Sequence, residues 1–402
     1  MTQTGSGVVL RGTNQEFGRP YNRRIVLETV RLHAPISRGE IAKRVGLTVQ
    51  TVSTIVRELE QLGFVIGSRE QPRSRGYPPT ALTVNPSGGF AIGLHVTPVS
   101  IDTALIDLAG TVISKKRREM RSATPEASFA AIGELTREMR QLRPNGRMLG
   151  VGMAIPGPFG VDSMSFVGPT TLQGWAGVPI AERLTEATGL AAFVGVDLAA
   201  AALGERLYGA GRELRDFYYL YFGVGLGGCM VHDGQPLRGA FGNAGEIGHI
   251  PLVPNGDACP CGNCGCLERY LSLDAFERRS AQFGREAWFA EAAPLLRLAI
   301  TMIENLFDPE TIILGGLAHE SVLKDLIAAA APLHPSVGER RDRTAPRLML
   351  SAQGEDSVLR GAAALAVSGL LSPRFGAMFV DDDALPAHDP LLTPQRLNEA
   401  AA

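Results

Sequence analysis

Long apolar runs are absent from this sequence of 402 residues, and so is an N-terminal stretch in which positive charge leads into a hydrophobic segment. MTQTGSGVVLRGTNQEFGRP has neither feature. These absences argue against a membrane span and a secretion signal, and the expected location is the cytoplasm. Aromatic residues are scarce at 6%, cysteines number only 5, and no internal repeat is visible. The near-balance of 39 Lys+Arg with 41 Asp+Glu excludes a uniformly basic or acidic chain. What is present, 45% hydrophobic and 20% charged residues, describes a globular chain of roughly two or three domains.

The balanced charge hides an asymmetry. Residues 1 to 80 hold 12 Lys or Arg against 6 Asp or Glu, about +6, so with a total of −2 the remainder carries about −8. A basic arm on an acidic body points to nucleic acid. Within that arm, Ile25, Val26, Thr29, Val30 and Leu32 fall at near-helical spacing and predict a helix over Tyr21 to Leu32. Ser37 opens a Ser-Arg-Gly-Glu capping box that starts a second helix ending at Gly46. Thr48 then caps a third, whose Val52, Ile55, Val56, Leu59 and Leu62 face inward. This is helix-turn-helix spacing. Gln50, Thr51, Ser53 and Thr54 face outward near the start of the third helix and suit base edges, while Arg57 suits a phosphate. The following FVIGSREQPRSRGYPPTALTV predicts two short strands around a basic turn, a wing offering Arg69, Arg73 and Arg75 to phosphates or a minor groove. The competing interpretation is a helical module for protein contacts with solvated arginines.

Cys259, Cys261, Cys264 and Cys266 crowd into eight residues, with His249 ten residues upstream. A Cys/His set of this density in a chain without a secretion signal fits structural zinc better than disulfides. Five candidate donors are one too many for a tetrahedral ion, so one is left out. Cys229, alone in an apolar strand, reads as a small core residue.

The segment from Glu246 to His249, Glu-Ile-Gly-His, followed by Cys-x-Cys-Gly-x-x-Gly-Cys-Leu-Glu, resembles the signature of the ROK family of sugar kinases and sugar-responsive repressors. The resemblance covers about residues 20 to 370. It implies zinc ligands His249, Cys259, Cys261 and Cys266, and sugar contacts from Glu246, His249 and Glu268. It also implies a general base at Asp197, and Thr171 stands where the family usually has a sugar-binding asparagine. Family repressors carry a winged helix-turn-helix at this N-terminal position, commonly with Gly-Arg-Pro at the wing. Here the triplet is Gly76-Tyr77-Pro78.

Further departures bear on catalysis. Where ROK kinases have Gly-x-Asp-x-Gly-Gly-Thr, this chain has Gly93-Leu94-His95-Val96-Thr97-Pro98-Val99. Two glycines that let backbone amides close on phosphate are replaced, one of them by a proline with no N–H. Asp197 is flanked by Val196 and Ala199 instead of asparagines, and Val224 occupies a threonine position in the second glycine-rich loop.

The expected fold is α/β: a winged helix-turn-helix over residues 1–84, a two-lobed actin-like, ribonuclease H-like ATPase-fold domain over 85–375, and a mobile tail over 376–402. The expected function is a DNA-binding repressor of carbohydrate metabolism. Its partners would be an operator duplex and a sugar effector, its zinc structural, ATP not a cofactor, and its assembly a homodimer or homotetramer. The alternatives are an ATP-dependent sugar kinase using Asp197, and a regulator whose sugar site has been dismantled.

Overall fold

The computed structural model describes residues 18–69, 80–157, 170–340 and 342–372. Arg73, Arg75, the triplet Gly76 to Pro78 and the tail lie outside these residues, as does the side chain of Arg69.

The head is three helices and a strand pair: α1 (Gly18–His33), α2 (Arg38–Val45), α3 (Val49–Gln61), then β1 (Val65–Arg69) antiparallel to β2 (Thr80–Val84). The first helix is longer than its apolar spacing predicts, because Arg19 and Arg23 extend it by pairing with Glu58 on α3. The capping box closes as expected: Glu40 N–H donates to Ser37 Oγ at 3.2 Å and Ser37 N–H donates to the Glu40 carboxylate at 2.9 Å. Thr48 caps α3 through Thr51 N–H at 3.1 Å.

The first lobe carries β3 (Phe90–Val96), β4 (Ser100–Asp107), β5 (Val112–Glu119), β6 (Met148–Ile155) and β7 (Ala192–Val196), with α4 (Pro125–Gln141) and α5 (Ile180–Thr188) against one face, and leads into α6 (Asp197–Tyr208). The second carries β8 (Phe217–Phe222), β9 (Leu226–His232), β10 (Gln235–Pro236), β11 (Thr311–Gly316) and β12 (Leu348–Leu350), with α7 (Leu273–Phe283), α8 (Arg285–Phe307) and α9 (Glu320–Ala329). The sheet orders are β5-β4-β3-β6-β7 and β10-β9-β8-β11-β12. In both, three antiparallel strands continue into two parallel ones. The lobes therefore repeat one topology although the sequence shows no repeat. Strand order and direction depend on hydrophobic pattern and connection, which different residues satisfy equally.

The last described helix, α10 (Ser357–Leu371), ties everything together. Its Val358, Ala362 and Leu365 join the core between the lobes with α6, while Leu359, Ala363, Ala366 and Val367 join a core that contains Ile25, Val26, Val30 and Leu82 of the head. This close packing demands glycine. A Cβ on Gly152 of β6 would lie 1.8 Å from the Ala362 carbonyl oxygen, and one on Gly361 would lie 2.0 Å from that of Ala200. Head and body are also joined by polar groups. Arg147 donates to the Leu62 carbonyl at 2.9 Å and stacks over Phe64 at 4.6 Å, Asn85 donates to the Gly63 carbonyl at 2.7 Å, and Arg212 donates to the Arg31 carbonyl at 3.0 Å.

Candidate metal centre, ligand cleft and nucleic-acid face

The cysteine loop follows β10 and returns through two short bridges, Pro251 with Cys266 and Ala258 with Cys264. This brings one ligand atom each from His249, Cys259, Cys261 and Cys266 within 4.8 Å of one another. Cys261 Sγ lies 3.6 Å from Cys266 Sγ, and Cys259 Sγ lies 3.5 Å from His249 Nδ1. Tetrahedral sites with metal–sulfur bonds of about 2.3 Å hold their donors about 3.8 Å apart. The donor set fits a tetrahedral ion. Cys264 is exposed and outside the cluster, and Cys229 is buried in the core between the lobes with its thiol pushed up to about 12 by burial.

His249 faces two ways. Its Nδ1 looks at the sulfurs and its Nε2 at Glu246 Oε2, 3.8 Å away, while Glu268 Oε1 is 3.7 Å from Nδ1. A metal on Nδ1 fixes the proton on Nε2, so the ring presents a donor to the other side. That side is a cleft of about 630 Å³ between the lobes, whose walls include Asp197, Glu246, His249 and Glu268. Thr170 lines it too, whereas the half-buried Thr171 is its neighbour in the chain. Asp197 stands at the first turn of α6, not at the cap, and its Oδ1 accepts from Leu198 N–H at 2.8 Å. Burial pushes its carboxyl up to about 6, and the same cause raises Glu246, with Asp197 and Glu268 adding like charge. Three carboxyls and an imidazole in one cleft supply hydrogen-bond capacity suited to a polyol.

The hairpin between β3 and β4 lines the same cleft. Its amides are used internally. Thr97 N–H donates to the Ser100 carbonyl at 2.9 Å, Ser100 N–H donates to Thr97 Oγ1 at 3.0 Å, and Val99 N–H donates to the same hydroxyl at 3.4 Å. Pro98 has no N–H, so this turn offers no convergent set of amides to an anion. His95 is buried, with its pKa pushed down to about 4 by burial and by Arg117, and its Nε2 has no partner among the described residues.

On the head, Gln50, Thr51, Thr54 and Arg57 are exposed and Ser53 is half-buried. Lys43 and Arg44 of α2 are exposed as well.

A family model described as ROK family matches residues 91–368, and one described as winged helix-turn-helix DNA-binding matches residues 20–66. The chain belongs to the ROK family. Among its relatives, the xylose repressor of Bacillus spizizenii is 25% identical over 384 residues, covering 89% of this chain and 98% of that one. A solved ROK family transcriptional regulator, homologous to the Escherichia coli MLC protein, superposes with a TM-score of 0.68 at 24% identity over 89% of this chain and 98% of the other. A ROK hexokinase from Thermus thermophilus superposes on the body alone, with a TM-score of 0.55 at 29% identity, covering 69% of this chain and 98% of that one. Among the described residues no helix is long and apolar enough to cross a membrane.

Against this ROK framework, the structure brings together His249, Cys259, Cys261 and Cys266 around one point, and Asp197, Glu246, His249 and Glu268 around one cleft. Sequence reasoning missed Thr170 and the capture of the hairpin amides by Thr97. Only the last left a signal, a threonine three residues before a serine across a proline turn.

Proposed function

We propose that this ROK protein is a DNA-binding transcriptional repressor whose body binds a sugar effector in the cleft and does not transfer phosphate. The observation that carries the reading is a contrast within one cleft. It keeps Asp197, Glu246, His249 and Glu268 for a polyol, while its hairpin has used up its amides on Thr97 and Ser100. Phosphoryl transfer rests on positioning and charge neutralisation at the phosphates, and each lost contact costs about 10²–10³ in rate. Zinc on His249, Cys259, Cys261 and Cys266 would supply a rigid fourfold anchor and hold His249 Nε2 toward the ligand. The head would end near residue 84, and two or four copies would place paired heads on two half-sites.

Coupling between cleft and head has a physical route. Glu355, Asp356, Val358 and Leu359 at the start of α10 line the cleft, and the same helix shares a core with the head. Closing the lobes on a ligand would therefore move the surface on which the head rests.

The test is fluorescence anisotropy of the full chain on DNA from its own upstream region against scrambled DNA, across a salt series. Preference for the native sequence, weakened about tenfold by Gln50→Ala, is the expected result. Equal and steeply salt-dependent binding to both duplexes would overturn the reading. Sugar-phosphate formation from ATP that vanishes in Asp197→Asn would replace it with the kinase reading.

Asp197 also predicts a pH effect. Its carboxyl titrates near 6 when folded and near 3.8 in its ordinary state, so between those values the folded chain holds a proton that the unfolded chain has lost. Folding stability contributed by this group therefore falls as pH rises from about 4 to 6 and levels above. Urea unfolding across that window should show the fall in the native protein and its loss in Asp197→Asn.

A further inference from the structure

The sequence pattern offers four small polar side chains at the start of α3 as base readers, but the structure divides them. Thr51 Oγ1 lies 2.9 Å from Thr48 Oγ1 within the cap, and Thr54 Oγ1 donates to the Gln50 carbonyl at 3.2 Å. Ser53 is half-buried. The amide of Gln50 is exposed and has no partner among the described residues. Next to it, at the first position of the helix, Val49 is 55% exposed. Among the described residues of the head, the only large hydrophobic side chains left exposed are Val49 and Ile66, one opening α3 and the other on β1 of the strand pair. A β-branched residue with two methyls in water gains nothing for a free head. In a major groove, the one apolar feature on the base edges is the C5-methyl of thymine.

We infer that Val49 and Gln50 together set sequence preference: the Val49 methyls pack on a thymine methyl while the Gln50 amide reads the adjoining base pair, with Thr51 and Thr54 holding the helix start in shape. This rests on the DNA-binding reading above and deepens it. Gln50 pairs best with the N6 and N7 edge of adenine, so the two residues predict an A/T-rich step at the same place in each half-site. Lys43 and Arg44 of α2 and Arg57 of α3 are exposed cations of the same head and would supply backbone contacts without base preference.

The experiment selects duplexes from a randomised pool with the full chain, then replaces each thymine of the enriched half-site by uracil, which lacks only the methyl. One thymine is expected to lose about fourfold in affinity as uracil, the scale of one buried methyl group. Val49→Ala should bind thymine and uracil equally at that position and keep its sensitivity elsewhere. Gln50→Ala should relax preference at the adjoining pair, and Thr54→Ala should select the same sequence as the native chain. An enriched site indifferent to uracil, a Val49→Ala protein that keeps the uracil effect, or a changed preference in Thr54→Ala overturns the inference and leaves the regulator reading standing. A pool in which nothing is enriched overturns both.

Discussion

Cys261→Ser is expected to strip the metal from the purified protein and lower its melting temperature by on the order of 10 °C. The loop from His249 to Cys266 is held by Ile250, Leu252 and Val253 packed on the second-lobe core and by Asp257, which pairs with Arg279 at 2.7 Å. Two short bridges and several backbone bonds add to this, and an ion on the donor cluster would contribute its binding energy to folding on top of them. Loss should spread to the cleft, because His249 and Glu268 sit on that loop and face the ligand. Cys264→Ser is the control. That thiol is exposed and outside the cluster, and its removal should leave metal content and melting temperature unchanged. Elemental analysis beside a thermal melt reads both. Equal zinc in the two variants would mean that a different donor set holds the metal, and no zinc in the native protein would remove the metal from the account altogether.

The second large effect belongs to a residue with no chemistry. Gly152→Ala places a methyl 1.8 Å from the Ala362 carbonyl oxygen, far inside contact distance and against a helix backbone that cannot swing aside like a side-chain tip. The helix must lift from the sheet, and a loss of about 3 kcal/mol or more is expected in urea unfolding. Gly39→Ala, whose added methyl meets nothing closer than 4.0 Å, should be neutral or stabilising. If Gly152→Ala folds with native stability, α10 is not seated as described. DNA affinity of whatever protein folds should fall as well, since the lifted helix is the floor under the head.

Local chemistry was legible in the sequence wherever it closes over a few residues. The capping box at Ser37 and the Thr48 cap announce themselves by spacing and form as read, and the Cys-rich stretch announces a donor cluster that gathers His249, Cys259, Cys261 and Cys266. Asp197, Glu246, His249 and Glu268 were nameable only through family resemblance, because they converge from the start of α6 and the loops after β9. Long-range features were not legible. Nothing in Ala363 or Ala366 says that they will belong to the same core as Ile25 and Val26, as small apolar residues fit any helix interface. The exposure of Val49 was likewise not legible, because only the neighbouring elements decide whether a valine at a helix start is covered.

The head and body read as separate modules along the chain, yet their hydrophobic interiors are continuous through α10. Portability is therefore limited. A hybrid made by cutting after Val84 and grafting a head from another family member would bring foreign side chains into the core that Leu359, Ala363, Ala366 and Val367 share with Ile25, Val26 and Val30. Recombination that preserves function must transmit the two ends of the gene together, the first eighty-odd codons with those of the last helix, as one inherited unit.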